Sequence, residues 1–192
     1  MYVKTITPDE ATGEVAELYN AEIAAMGTVM QATSCWSARP DMLLPIERLL
    51  HQMRDGFSLG LLNFRLITFI AAKYVPSSYC SHVYFRSLSG MLGRDQVLAI
   101  HRDYRTAGLS EQQVEMLAYA EQITRDASKI TEADIARLRA VGFSDLNIAD
   151  IALAAAYRNF MSRYFDAVGA TAEASFLDAD PAVRDQLAVG RK

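Results

Sequence analysis

Residues 108–169 read GLSEQQVEMLAYAEQITRDASKITEADIARLRAVGFSDLNIADIALAAAYRNFMSRYFDAVG. The stretch carries its own start and stop signals. Ser110 with Gln113 forms a capping box, in which each side chain satisfies a free backbone N–H of the other, and this predicts a helix over 110–126. Thr131 with Asp134, a shorter stand-in for the usual Glu, starts a second over 131–141. Gly142 ends that helix, and Ser144 opens a long third one that runs to Gly169.

The same grammar extends towards the N-terminus. Residues 59–75 are apolar around most of a helical circumference (Leu61, Leu62, Leu66, Ile67, Phe69, Ile70), which marks the centre of a core. Pro76 breaks that helix. Ser77 or Ser78 then caps another over 78–91, closed by Gly90 or Gly93, with Cys80 in its first turn. Pro8 opens a first helix over 8–26, with Val15, Leu18, Tyr19 and Ile23 along one stripe and Gly27 at its end. Pro40 starts another to about residue 54, and QATSCWSARPD between them reads as a loop or broken helix carrying Cys35 and Trp36. No sustained alternating run bounded by hairpin turns occurs, so the expected class is all-α. The expected organisation is one domain over 1–192: N-terminal helices at about 8–54 packing on a core at about 57–169, and a tail from about 170 that wraps over a neighbour.

Composition narrows the function. Nineteen basic against twenty-three acidic residues give a net charge of −4, with no dense cationic cluster to release counterions from a phosphate backbone, so no nucleic acid is expected as a partner. Lys73, Asp150 and Arg158 interrupt the most apolar runs, so no membrane span is expected. Two distant cysteines without a signal-peptide pattern do not make a disulfide framework, and a cytoplasmic setting is expected. No cofactor and no metal are expected.

The chemistry converges on PSSYCSHVY, residues 76–84. Backbone N–H groups at a helix N-terminus carry partial positive charge and stabilise a cysteine thiolate, the nucleophilic form. Ser77, three residues before Cys80, offers a hydroxyl to donate to the sulfur, and Tyr84, four residues on, lies on the same helical face. His82 lies about 200° around the helix and does not face Cys80. The competing reading of Cys80 is a small buried apolar side chain, since free cysteines are among the most buried residues. Cys35 resolves an oxidised Cys80 only if the fold brings their Cα atoms within about 7 Å.

With these segments in order, the chain resembles the carboxymuconolactone decarboxylase/alkylhydroperoxidase-D (AhpD-like) superfamily, in its peroxidase-related branch. The resemblance rests on PDEATGEVAELYN at 8–20, ARPDML at 38–43 and the whole of 108–169. It implies an AhpD-like helical bundle with a central helical hairpin carrying the cysteine. In peroxidase members the first hairpin helix carries a Glu, and a Cys-x-x-Cys pair and a His follow. The second Cys is the peroxidatic thiol, activated through the His and Glu, and the first resolves it. Carried over, the peroxidatic position is Cys80, the resolving position Ser77, the His position Tyr84 and the Glu position Arg65. Only the peroxidatic position matches. Without a second sulfur the sulfenate formed on Cys80 needs an external thiol or Cys35, while Arg65, if directed at Cys80, brings a positive charge that stabilises the thiolate.

Three functions follow from that resemblance. The first is a one-cysteine thiol peroxidase or antioxidant protein built on Cys80, Ser77, Tyr84 and Arg65, acting on a small hydroperoxide. The second is a decarboxylase-like enzyme in which Arg65, Tyr84 and His82 bind a small carboxylated lactone. The third is a non-catalytic helical oligomer on the same scaffold. By resemblance the partner is a second copy of the chain, in a trimer or hexamer.

Overall fold

A computed structural model describes residues 1–191, which form ten α-helices and no strand among them. They are α1 Gly13–Met26, α2 Gln31–Ser37, α3 Pro40–Asp55, α4 Gly60–Tyr74, α5 Ser78–Leu92, α6 Arg94–Asp103, α7 Glu111–Asp126, α8 Glu132–Ala140, α9 Asp145–Val168 and α10 Pro181–Leu187. None is long and apolar enough to cross a membrane.

The capping signals of the second half do what their chemistry requires. Ser110 Oγ accepts from the Gln113 N–H at 3.2 Å, Asp134 accepts from the Thr131 N–H at 2.7 Å, and Ser144 Oγ accepts from the Asn147 N–H at 3.2 Å. The central hairpin of α4 and α5 packs against α7 and α9. α4 buries Phe64, Leu66, Ile67, Phe69 and Ile70, so it is the core helix that its apolar circumference predicts. At its N-terminal end, however, Leu61 is exposed.

Several expectations need correction. The first helix begins at Gly13 rather than Pro8, because Gly13 adopts φ +56° and turns the chain out of any helix begun upstream. Ile23 on α1 is exposed instead of joining the Tyr19 stripe. The stretch around Cys35 and Trp36 is the helix α2, whose free N–H groups find distant partners. Glu22 accepts from the Met30 N–H at 2.8 Å, Glu173 from the Gln31 N–H at 2.6 Å, and the Tyr79 hydroxyl from the Ala32 N–H at 3.0 Å. α6 has no start signal in the sequence: it follows Gly93 with no side-chain cap and is held by burial of Val97, Leu98 and Ile100.

The tail packs on its own chain. α10 buries Val183 and Leu187, and the Gly190 N–H donates to Ser78 Oγ at 3.0 Å, so the C-terminal segment rests beside the start of α5.

Candidate functional site

Ser77 has extended backbone (φ −120°, ψ 109°) and caps α5, accepting from the Cys80 N–H at a long 3.5 Å. The expected donation from this hydroxyl to the sulfur is therefore not the contact formed: Ser77 Oγ serves the backbone. Cys80 lies in the first turn of α5, 1% exposed, on the wall of a cavity of about 240 Å³. That volume lies just below the usual range of ligand pockets, about 300–1,000 Å³. Phe64, Val83, Met161 and Phe165 give the cavity an apolar lining.

The group on the sulfur is Arg158, from the middle of α9. Its Nη1 donates to Cys80 Sγ at 3.4 Å, and its Nη2 donates to the Tyr84 hydroxyl. Arg158 is buried, its Nε has no partner, and no carboxylate pairs with it among the described residues. A buried guanidinium with no carboxylate partner is expensive, and the groups it meets here are the Cys80 sulfur and the Tyr84 hydroxyl. In the sequence Arg158 reads only as a charge interrupting an apolar run. The available signal was its register: Ile151, Ala154, Ala155, Met161 and Phe165 are buried along α9, and Arg158 falls on that same face.

Arg65 lines the cavity but does not hold the sulfur. Its Cζ lies 5.9 Å from the Tyr84 ring centroid, on a ring that Arg158 approaches to 4.6 Å. Burial lowers the Arg65 pKa, and Arg54 and Arg158 push the same way against Tyr84. The expectation that Arg65 is directed at Cys80 is thus corrected: the guanidinium on the sulfur comes from α9. Tyr84 stands between the two guanidiniums, the hydroxyl in one's grasp and the ring near both.

The remaining candidates lie elsewhere. His82 is buried on the other side of α5, beside Arg184 and Asp185 in a separate cavity. Burial lowers its pKa and Arg184 adds to this, so it is a neutral imidazole away from the thiol. Cys35 is fully buried, with its Sγ 3.4 Å from Met1 Sδ, and burial pushes its thiol up to about 12. Both cysteines are free. A thiol held protonated that firmly is a poor resolving nucleophile. Among the described residues no group of three or more His, Cys, Asp or Glu side chains is placed to hold a metal ion.

No protein-family model matches the chain, and neither does any curated protein. Solved structures do. A peroxidase-related protein from Silicibacter sp. TM1040 superposes with a TM-score of 0.80 at 21% identity, over 92% of this chain and 91% of that one. An alkylhydroperoxidase AhpD core protein, also peroxidase-related, from Ralstonia eutropha JMP134 gives 0.78 at 20% identity, over 91% and 93%. The debrominase Bmp8, as a cysteine-to-alanine variant in complex with 2,3,4-tribromopyrrole, gives 0.79 at 17% identity, over 97% of both chains. These likenesses span nearly the whole molecule, and the chain has the AhpD-like helical fold of the peroxidase-related proteins.

Proposed function

We propose that the protein is a one-cysteine thiol enzyme of the peroxidase type, with Cys80 as nucleophile, a small organic hydroperoxide as substrate and an external thiol as reductant. The observation that carries this reading is the hydrogen bond from Arg158, buried and without a carboxylate partner among the described residues, to the Cys80 sulfur at the wall of a cavity. Ser77 fixes the start of the helix that presents the sulfur, Tyr84 orients Arg158, and Arg65 adds positive potential. With the other thiol held protonated, regeneration falls to a thiol from solution.

A second reading within thiol chemistry is reductive dehalogenation of a small halogenated aromatic. The fold shared with a debrominase and the apolar lining of the cavity favour it. In that reaction the thiolate would take the halogen from carbon, a proton would replace it on the ring, a second thiol would displace halide from the sulfur to form a mixed disulfide, and a third would reduce that disulfide to restore Cys80.

One experiment separates these readings from an inert scaffold. Protein carrying Cys35→Ser is pulsed with iodoacetamide, with cumene hydroperoxide, or with 2,3,4-tribromopyrrole and excess dithiothreitol. The peroxidase reading expects an alkylated Cys80, a +16 or +32 Da shift after hydroperoxide, and catalytic hydroperoxide consumption that Cys80→Ser abolishes. Bromide release without hydroperoxide turnover would move the assignment to dehalogenation. A Cys80 that no reagent reaches in the folded protein would sink both.

A further inference from the structure

The Cys80 cavity has a second titratable wall, contributed by α1 and α3. Glu22, Glu47, His51 and Arg54 line it. Glu22 is committed to the fold, since it accepts from the Met30 N–H and from the Thr33 hydroxyl at the start of α2. Glu47 has no such duty. Among the described residues it takes no hydrogen bond, His51 Nε2 lies 3.9 Å away, and its side chain is 18% exposed. A half-buried carboxyl without a structural partner, on the wall of a cavity that also holds a thiol hydrogen-bonded by a guanidinium, is placed for proton transfer rather than for stability.

We infer that Glu47 is the proton donor of this cavity, delivering its carboxyl proton to the oxygen that leaves a hydroperoxide as Cys80 is oxidised. The inference rests on the peroxidase reading and adds a catalytic residue from a helix outside the hairpin. The step balances. The Cys80 thiolate attacks the terminal peroxide oxygen, the S–O bond forms as the O–O bond breaks, and sulfur loses the two electrons that the peroxide gains. The departing alkoxide takes the proton of Glu47 and leaves as an alcohol, with Cys80 as the sulfenic acid and Glu47 as carboxylate. Water reprotonates Glu47. Two molecules of external thiol return the sulfenic acid to the thiol, with release of water and their own disulfide.

The surroundings suit that role. Burial, with Glu22 adding repulsion and Arg54 opposing, pushes the Glu47 carboxyl up to about 7, so near neutral pH it can both hold and give a proton. The other charged or titratable groups around the cavity are His51 on α3, Arg65 on α4, Tyr79 and Tyr84 on α5 and Arg158 on α9. Tyr157 on α9 also feels the charge of Glu47. Of these, Arg158 and Tyr84 are engaged with each other and with the sulfur.

The test compares two reactions of one sulfur in the Cys35→Ser background: oxidation by cumene hydroperoxide and alkylation by iodoacetamide. Iodide leaves without a proton, so alkylation reports thiolate and access alone, and the ratio of the two rates isolates the proton donor. The ratio is expected to fall as pH rises through about 7 in the parent protein. Glu47→Gln should lower it by about 10²-fold at pH 6 and flatten its pH profile, while Glu47→Asp keeps a sloping profile. An unchanged ratio in Glu47→Gln, in a protein whose Cys80 is oxidised normally, overturns the role of Glu47 and leaves the peroxidase reading standing. Equal loss of both rates also overturns it, by making Glu47 a purely structural residue. A parent Cys80 that alkylates but is not oxidised overturns the peroxidase reading and the role of Glu47 with it.

Discussion

The two cysteines are equally buried, at 1% for Cys80 and 0% for Cys35, yet their surroundings could hardly differ more. Around Cys35 the neighbours are the Met1 thioether and a helix whose Trp36 stacks on Tyr164 at 3.9 Å. Burial outweighs the pull of the N-terminal ammonium and drives the thiol up to about 12. Around Cys80 the neighbours are a helix N-terminus, a guanidinium donor and an internal cavity. Burial by itself therefore says little about a thiol. What matters is whether the buried space also holds a counter-charge and room for a reagent.

Removing the counter-charge should erase the contrast most strongly. Arg158→Met takes away the cation on the sulfur, and the alkylation rate of Cys80 at pH 7 should drop about 10- to 100-fold, the size expected for loss of a neighbouring unit charge. Arg158→Lys, which keeps the charge but loses the fork that reaches Tyr84, should retain most of the rate. The measurement is a pH–rate profile for iodoacetamide in the Cys35→Ser protein, with circular dichroism to confirm folding. Equal rates in parent and Arg158→Met would remove the basis of the contrast.

The second prediction concerns what the Cys80 cavity does to stability. Glu47 titrates at about 7 in the folded protein against 4.5 for a free carboxyl. The fold therefore binds this proton more tightly than the unfolded chain does. Its contribution is fully present below about pH 4.5 and is lost as pH rises through about 7. Glu47→Gln removes the half-buried anion. Discounted for partial exposure, the gain is about 2 kcal/mol at pH 8, shrinking towards zero at pH 4. Urea unfolding at the two pH values checks it, and an equal effect at both would show that Glu47 is not held against its charge. A functional carboxyl kept at the expense of stability is a familiar trade.

The smallest effect is expected at the other sulfur. Cys35→Ala deletes one buried atom from an apolar site and should lower stability by about 1 kcal/mol, with the hydroperoxide reactivity of Cys80 unchanged. A fall in turnover with dithiothreitol present, at normal single-turnover oxidation, would instead make Cys35 a resolving thiol.

The helices of the second half were legible because their signals are local. Ser110 with Gln113, Thr131 with Asp134 and Ser144 with Asn147 each satisfy an N–H three residues away, so sequence spacing carries nearly all of the geometry. The position of Cys80 was legible for the same reason, since the Ser77 cap sets the first turn of α5. α2 and α6 were not. α2 is started by Glu22, Glu173 and Tyr79, and α6 is held by the packing of Val97 and Ile100. These contacts span sequence distances over which no spacing rule applies.

By itself, then, the sequence determined an all-α chain, the helix that holds Cys80 and the absence of a second sulfur or a histidine on its face. Tertiary structure decided which arginine meets that sulfur. Arg65 stands on the neighbouring hairpin helix and was the natural candidate, yet Arg158 on α9 reaches Cys80 because the apolar face of α9 packs into the core and carries the guanidinium inward with it. Helical periodicity shows that Arg158 lies on a buried face. Only the packing of α9 against the hairpin shows what that face meets, because the partner of a buried side chain is set by contacts between elements far apart in the chain.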